Sequence, residues 1–217
     1  MDNFLNPTEF LDFNHPHFDF FKNEFNDSEN DIELIRRIYF WVRDRFLYDP
    51  YHLDITHSGL QSSSILTKKR AWCVEKSILM AAIARKFGFP AKLGFAIVKN
   101  HLEISKLHEF LQREEIVFHG YCSIFVNQKW VKCTPAFDKR VCAWNKVDPL
   151  DWDGINDAMF QEFTKDKKFM EYLHFYGEFD DVPIELMNEE MKKFYPHLFQ
   201  NNFNSKEFSF HHLDAYK

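Results

Sequence analysis

Residues 72–88 read WCVEKSILMAAIARKFG, a cysteine followed by a long apolar run. Every residue from 78 to 84 is apolar, and a helix that is apolar on all sides is buried. Gly88 closes the run, with a proline two residues later, and this order is typical of the end of a helix. The stretch therefore predicts a buried helix over about 72–87, packed against a sheet, with Cys73 in its first turn.

The sequence on either side predicts one further helix before this one and an antiparallel sheet after it. Apolar residues recur every three or four positions over 32–46, which is the period of an amphipathic helix. Farther along, two strand-like runs are joined by Asn127 and Gln128, which fit a two-residue hairpin turn. The full prediction is a helix over 32–46, a loop over 51–70, strands over 91–98, 117–126 and 129–134, a short helix or a loop over 99–115, and short helical pieces over 156–163 and 184–194.

The chain divides into three parts that we expect to form a single domain. With 217 residues it is long enough for one sizeable core. Residues 1–30 show no clean period and predict an irregular arm, whereas residues 31–140 carry the elements of the core. Residues 141–217 are broken by prolines and glycines but rich in aromatic side chains, so we expect a helical C-terminal extension packed on the core.

Charge and cysteine content exclude several classes of protein. A net charge of −6 argues against a nucleic-acid or anionic-membrane partner, which would need a basic face. The apolar runs are too short to span a bilayer, and no secretory signal is recognisable, so we expect a cytoplasmic protein. No two cysteines have the Cys-x-x-Cys spacing of a zinc site, so we expect reduced thiols, no metal and no cofactor. The four cysteines are Cys73, Cys122, Cys133 and Cys142.

Three residues carry groups that could act together chemically: Cys73, His119 and Asp138. The first turn of a helix offers unpaired N–H groups and partial positive charge, which favour a thiolate and could stabilise an oxyanion. His119 begins one strand of the predicted hairpin and Asp138 follows the other, so the two could lie close together. A thiol, an imidazole and a carboxylate can serve as nucleophile, base and orienting group. Each residue alone is more often structural than catalytic.

The motifs around these residues resemble those of the transglutaminase-like superfamily of papain-type thiol enzymes. That family places its catalytic cysteine at the start of a helix ending in a phrase such as AR-x-x-G-x-P-A, and residues 84–91 here read ARKFGFPA. Its histidine begins a strand and is followed by a tryptophan, as His119 is followed by Trp130. The resemblance implies an α+β, papain-like fold, in which the helix carrying Cys73 packs on an antiparallel sheet.

The resemblance also implies an activity, with departures from the family pattern that leave alternatives open. It implies an acyl-enzyme formed by Cys73 on a carboxamide or peptide substrate, resolved by water or by an amine, with Trp72 a weak candidate for the substrate pocket. The family's aspartate falls at Thr134 here, so either Asp138 supplies the carboxylate, which we favour, or the triad is degraded. A catalytically inactive binding module is the alternative, and a thioester-dependent acyltransferase ranks last.

Overall fold

A four-stranded antiparallel sheet with one buried helix packed on it forms the centre of the fold. The computed structural model describes residues 2–25, 30–100, 105–159, 162–164, 167–168, 170–199 and 209–211. The helices described are α1 (Phe21–Glu24), α2 (Asp31–Arg45), α3 (Ser62–Ile65), α4 (Cys73–Lys86), α5 (Ser105–Leu111), α6 (Lys139–Trp144) and α7 (Ile184–Phe194), with 3₁₀ turns at Asp2–Phe4, Pro16–Phe18 and Pro196–Phe199. The strands described are β1 (Leu47–Tyr48), β2 (His52–Asp54), β3 (Arg70–Ala71), β4 (Ala91–Asn100), β5 (Glu115–Val126), β6 (Lys129–Cys133), β7 (Glu162–Thr164), β8 (Lys167–Lys168), β9 (Met170–Phe179) and β10 (Ser209–His211).

The predicted hairpin, β5 and β6, forms one side of the central sheet, whose strand order is β6-β5-β4-β9. Asn127 and Gln128 join β5 to β6 and both have positive φ, 46° and 64°. That pair of conformations matches the right-handed twist of the two strands in a two-residue turn. The predicted α+β class, with an antiparallel sheet, is confirmed.

Helix α4 is the predicted apolar helix, and it begins at Cys73 as expected. All its residues from Cys73 to Arg85 are buried. Gly88 ends it with a φ of 85°, a conformation that glycine adopts without strain. Strand β5 approaches the first turn so closely that a Cβ on Gly120 would lie 2.9 Å from the Cα of Val74. This contact fixes the residue next to His119 against the start of α4.

Helix α2 confirms the predicted amphipathic helix. The side chain of Asn30 accepts a hydrogen bond from the Glu33 N–H and caps its first turn. Its buried face, which includes Ile35 and Ile38, belongs to the same hydrophobic core as α4. Helix α7 confirms the helix predicted over 184–194.

The structure differs from the sequence prediction mainly outside α2, α4 and the hairpin. The C-terminal extension contributes strand β9, which pairs with β4, in addition to α7. The helix predicted over 156–163 is wrong, because 156–159 is irregular with one bridge and 162–164 is a strand; residues 160–161 lie outside the described part. Residues 51–70 contain β2 and α3 rather than only loop, and α5 occupies part of 99–115. The division into arm, core and extension stays a prediction.

Candidate active site

Cys73 is the first residue of α4, and several hydrogen-bond donors interact with its thiol. Its side chain is buried, and burial raises the pKa of the thiol to about 11. The backbone N–H groups of Gly120 and Val74 and the hydroxyl of Tyr48 act in the opposite direction, because they stabilise the thiolate. The backbone N–H of Cys73 itself acts in the same direction, but burial has the larger effect and the thiol is protonated at neutral pH.

Tyr48 is a site residue that the sequence did not reveal. Strands β1 and β3 pair in parallel and place Tyr48 opposite Ala71, two residues before Cys73. The Tyr48 N–H donates to Oδ2 of Asp138 at 2.7 Å, and its ring lies 4.6 Å from that of Phe137. A tyrosine in a strand of two residues carries no local signal, and the pairing of β1 with β3 brings it to the start of α4.

His119 lies on β5, opposite Ala96 of β4, at an irregularity in the ladder. The residue before it, Phe118, has a φ of 58°, which is rare for a bulky side chain and is typical of bulged strands beside functional sites. Burial lowers the pKa of His119 to about 4, so the imidazole is neutral at pH 7. Neither ring nitrogen has a hydrogen-bond partner among the residues that the structure describes.

Asp138 is fully buried, but its carboxylate is bound to other groups than His119. Oδ2 accepts the Tyr48 N–H, while Oδ1 accepts the backbone N–H and Nε of Arg140 at 3.0 and 2.7 Å. The chain after β6 does not curl back toward His119, because Asp138 instead caps the first turn of α6. Within the described part of the chain, the expected hydrogen bond between Asp138 and His119 is not formed.

Thr134, the other candidate for the third group, lies at the end of β6 and is buried. Its Oγ1 is 3.4 Å from the hydroxyl of Tyr172, and that hydroxyl also donates to the Met159 carbonyl at 3.3 Å. The Tyr172 ring in turn contacts the His119 ring, with 5.9 Å between centroids and a nearly perpendicular arrangement. Thr134 is thus connected to His119 through a tyrosine of the C-terminal extension.

Trp72 is buried directly before the thiol. Its backbone N–H donates to the carboxylate of Glu75 at 3.1 Å, which satisfies one of the free donors at the start of α4. The indole Nε1 has no hydrogen-bond partner among the described side chains and backbone groups. Its role in a substrate pocket stays a prediction.

The described residues offer neither a metal site nor a helix that could span a membrane. They contain no group of three or more His, Cys, Asp or Glu side chains placed to hold a metal ion. None of their helices has the length and apolar character that crossing a membrane requires.

Comparison with known families identifies the superfamily to which the chain belongs. The model of the transglutaminase-like superfamily matches residues 20–135, more than half of the chain. The chain belongs to the transglutaminase-like superfamily. The matched segment of this transglutaminase-like protein contains Cys73, His119 and Thr134 and ends before Asp138.

Among solved structures, the protein is similar to one described as a "putative cysteine protease" from Cytophaga hutchinsonii. The two are 16% identical and superpose with a TM-score of 0.47. The similarity covers 61% of this chain and 40% of that chain, so this transglutaminase-like protein spans less than half of the length of the solved structure. No curated protein matches the chain.

Proposed function

We propose that this transglutaminase-like protein is a thiol acyl enzyme, with Cys73 as nucleophile and His119 as base. The observation that carries the proposal is the set of donors that stabilise the Cys73 thiolate, because we expect the same donors to stabilise an oxyanion. The substrate class is a carboxamide or peptide carbonyl, supplied by a peptide or protein.

The proposed reaction assigns a step to each of these groups. The sulfur of Cys73 attacks the carbonyl carbon while His119 takes the thiol proton. The negative charge that develops on the carbonyl oxygen is stabilised by donors at the start of α4 and by the Tyr48 hydroxyl. Protonated His119 then gives the proton to the leaving amine, and a thioester remains on Cys73. Water, activated by the neutral imidazole, hydrolyses the thioester; an amine in place of water would give amide transfer.

The starting state of this reaction is an uncharged pair. Burial places the pKa of Cys73 near 11 and that of His119 near 4, so at pH 7 the thiol keeps its proton and the imidazole is free to accept one. His119 therefore acts as a general base during the attack, rather than as the permanent cation of a thiolate–imidazolium pair.

Asp138 has a positioning role in this proposal. Its carboxylate holds the N–H of Tyr48, whose hydroxyl reaches the sulfur of Cys73. Removing the Asp138 carboxylate would therefore change the reactivity of Cys73 through Tyr48. Removing a third triad member would instead change the orientation and pKa of the imidazole.

The test is acylation of the protein by p-nitrophenyl acetate, an activated ester that needs no knowledge of the natural substrate. We expect a burst of p-nitrophenol equal to the protein concentration, with one acetyl group mapped to Cys73 by mass spectrometry. Cys73→Ala should abolish the burst, and His119→Gln should slow it by about a hundredfold or more, since that is the usual contribution of a positioned base.

Cys142→Ala is the matched control, because Cys142 is another buried cysteine, and its thiol donates to the Phe137 carbonyl at 3.8 Å. That variant should keep the full burst. The proposal would be contradicted if the parent protein acquired no acetyl group on Cys73. It would also be contradicted if acetylation were spread equally over all four cysteines. The inactive binding module would then be the better account.

A further inference from the structure

The imidazole of His119 has no hydrogen bond to hold it in one orientation within the described part of the chain. A base must present one nitrogen to the thiol, and small displacements of a reacting group lower its rate steeply. Asp138 does not supply the orienting contact, because both its oxygens bind donors elsewhere. Packing must therefore do what a hydrogen-bonded carboxylate does in a triad.

Tyr172 makes the ring contact that meets this need. It lies on β9 opposite Val98 of β4, while His119 lies on β5 opposite Ala96 of the same strand. The tyrosine thus reaches across β4 to the imidazole, with ring planes at 76° and centroids 5.9 Å apart. Such an edge-to-face arrangement is a favoured geometry for two aromatic rings.

The Tyr172 ring is itself held from two directions. Phe175 stacks on it with 5.2 Å between centroids and 8° between planes. These residues are three apart, yet they share a face because the β4–β9 ladder shifts register between Ile97 and Val98. At the other end the hydroxyl contacts Thr134 Oγ1 and donates to the Met159 carbonyl. A ring fixed at both its face and its hydroxyl can fix a neighbour.

We propose that Tyr172 is the positioning residue of His119, held in place through its hydroxyl by Thr134 and Met159. The proposal rests on the proposed function, since it assigns an orienting group to the base of that reaction. It also gives Thr134 a purpose at the position where the family pattern has an aspartate: the threonine anchors the tyrosine instead of binding the imidazole.

The experiment measures the rate of Cys73 acetylation by p-nitrophenyl acetate from pH 4 to pH 9. Tyr172→Leu removes the ring, and we expect about a tenfold to hundredfold slower burst. We also expect the pH dependence assigned to His119 to move upward, from near 4 toward the ordinary value of about 6.5, because the imidazole gains access to water. In the described structure burial alone shifts the pKa of this histidine, and the titratable side chain in ring contact with it is Tyr172 from β9.

Two milder variants keep the test valid if Tyr172→Leu does not fold. Tyr172→Phe and Thr134→Val each remove one side of the same contact, so each should slow acetylation about threefold to tenfold. Combined, they should have no larger effect than Tyr172→Phe alone, since that variant already removes the contact with Thr134. Tyr176→Phe is the control: it lies on the same strand and loses a hydroxyl bonded to Glu190, and its burst should equal that of the parent.

The outcomes separate the two proposals. If Tyr172→Leu, or both milder variants, react at the parental rate with an unchanged pH profile while His119→Gln is slow, the positioning role is overturned and the thiol enzyme stands. If the variants are slow but the pH profile does not move, Tyr172 is only structural and the positioning role is overturned as well. If the parent itself is not acetylated at Cys73, both proposals fall together.

Discussion

The burial of His119 has a consequence for stability that is independent of catalysis. Its side chain is 1% exposed, and its pKa is about 4 in the folded protein but about 6.5 in an unfolded chain. Between these values the unfolded state binds more protons than the folded state, so lowering the pH through this window favours unfolding. Over the full interval from pH 6.5 to pH 4 the loss approaches about 3 kcal/mol.

His119→Gln should remove this part of the pH dependence. The measurement is urea unfolding of parent and variant at pH 7, 5.5 and 4.5. We expect the variant to lose less stability than the parent on acidification, by about 1–3 kcal/mol. His57→Gln is the control, because His57 is an exposed histidine paired with Glu9 and should leave the steep dependence of the parent in place. Equal slopes for the parent and His119→Gln would refute the burial argument.

At the scale of single residues, the sequence indicated the proposed nucleophile and base but not the tyrosines that lie beside them. Cys73 and His119 could be found because their surroundings match a family pattern. Tyr48 and Tyr172 could not, because strand pairing brings these two to the site and no local sequence pattern marks them. Asp138 was placed by its nearness in the chain to the hairpin, but the preference of aspartate for helix caps determines where its carboxylate points.

At the scale of elements, Asp138 joins the start of α6 to strand β1. Replacing it with alanine removes a helix cap and leaves the Tyr48 N–H buried without its acceptor. Together these should lower the free energy of unfolding by about 2–4 kcal/mol, as measured by urea denaturation. Because Tyr48 carries the hydroxyl beside Cys73, we also expect slower acetylation of that thiol.

Asn30→Ala is the comparison for that prediction, since Asn30 caps α2 through the same kind of bond to a backbone N–H. It should lower stability by about 1 kcal/mol and leave the acetylation rate of the folded protein unchanged. Asp138→Ala should also leave the pH profile of the base where the parent has it. If Asp138→Ala instead shifted the pH profile of His119, Asp138 would be acting on the imidazole as a third triad member, contrary to this prediction.

The elements that the sequence predicted well are those with strong local signals. Helix α4 has an apolar run and a glycine stop, and the β5–β6 hairpin has a two-residue turn between alternating strands. Strand β9 has neither, because two register shifts and Gly177 interrupt its alternation. Strand β9 forms because it pairs with the edge of β4, which is about 70 residues earlier in the chain, so a short stretch of sequence does not reveal it.

At the scale of the whole molecule, the arm, core and extension share one hydrophobic cluster. Phe10 of the arm, Ile83 of α4 and Met187 of α7 all belong to it. Arg85 connects the same three parts through polar contacts, and it is only 3% exposed. Its guanidinium donates to the carbonyls of Asn6 in the arm, Ala91 in β4 and Asp180 after β9. The arginine of the family-like phrase at 84–91 is therefore a structural residue.

Arg85→Lys tests whether these parts unfold as one body. An ammonium cannot reproduce the planar fork that reaches three carbonyls, so some buried acceptors lose their partner and stability should fall by about 2–4 kcal/mol. If the arm and the extension depend on the core, urea unfolding followed by tryptophan fluorescence and by circular dichroism should give one coincident transition at a lower midpoint. Arg45→Lys, at an exposed position in the last turn of α2, should leave the midpoint unchanged. Two separated transitions in Arg85→Lys would mean that the extension carrying Tyr172 is a unit of its own, joined to the rest chiefly by this arginine.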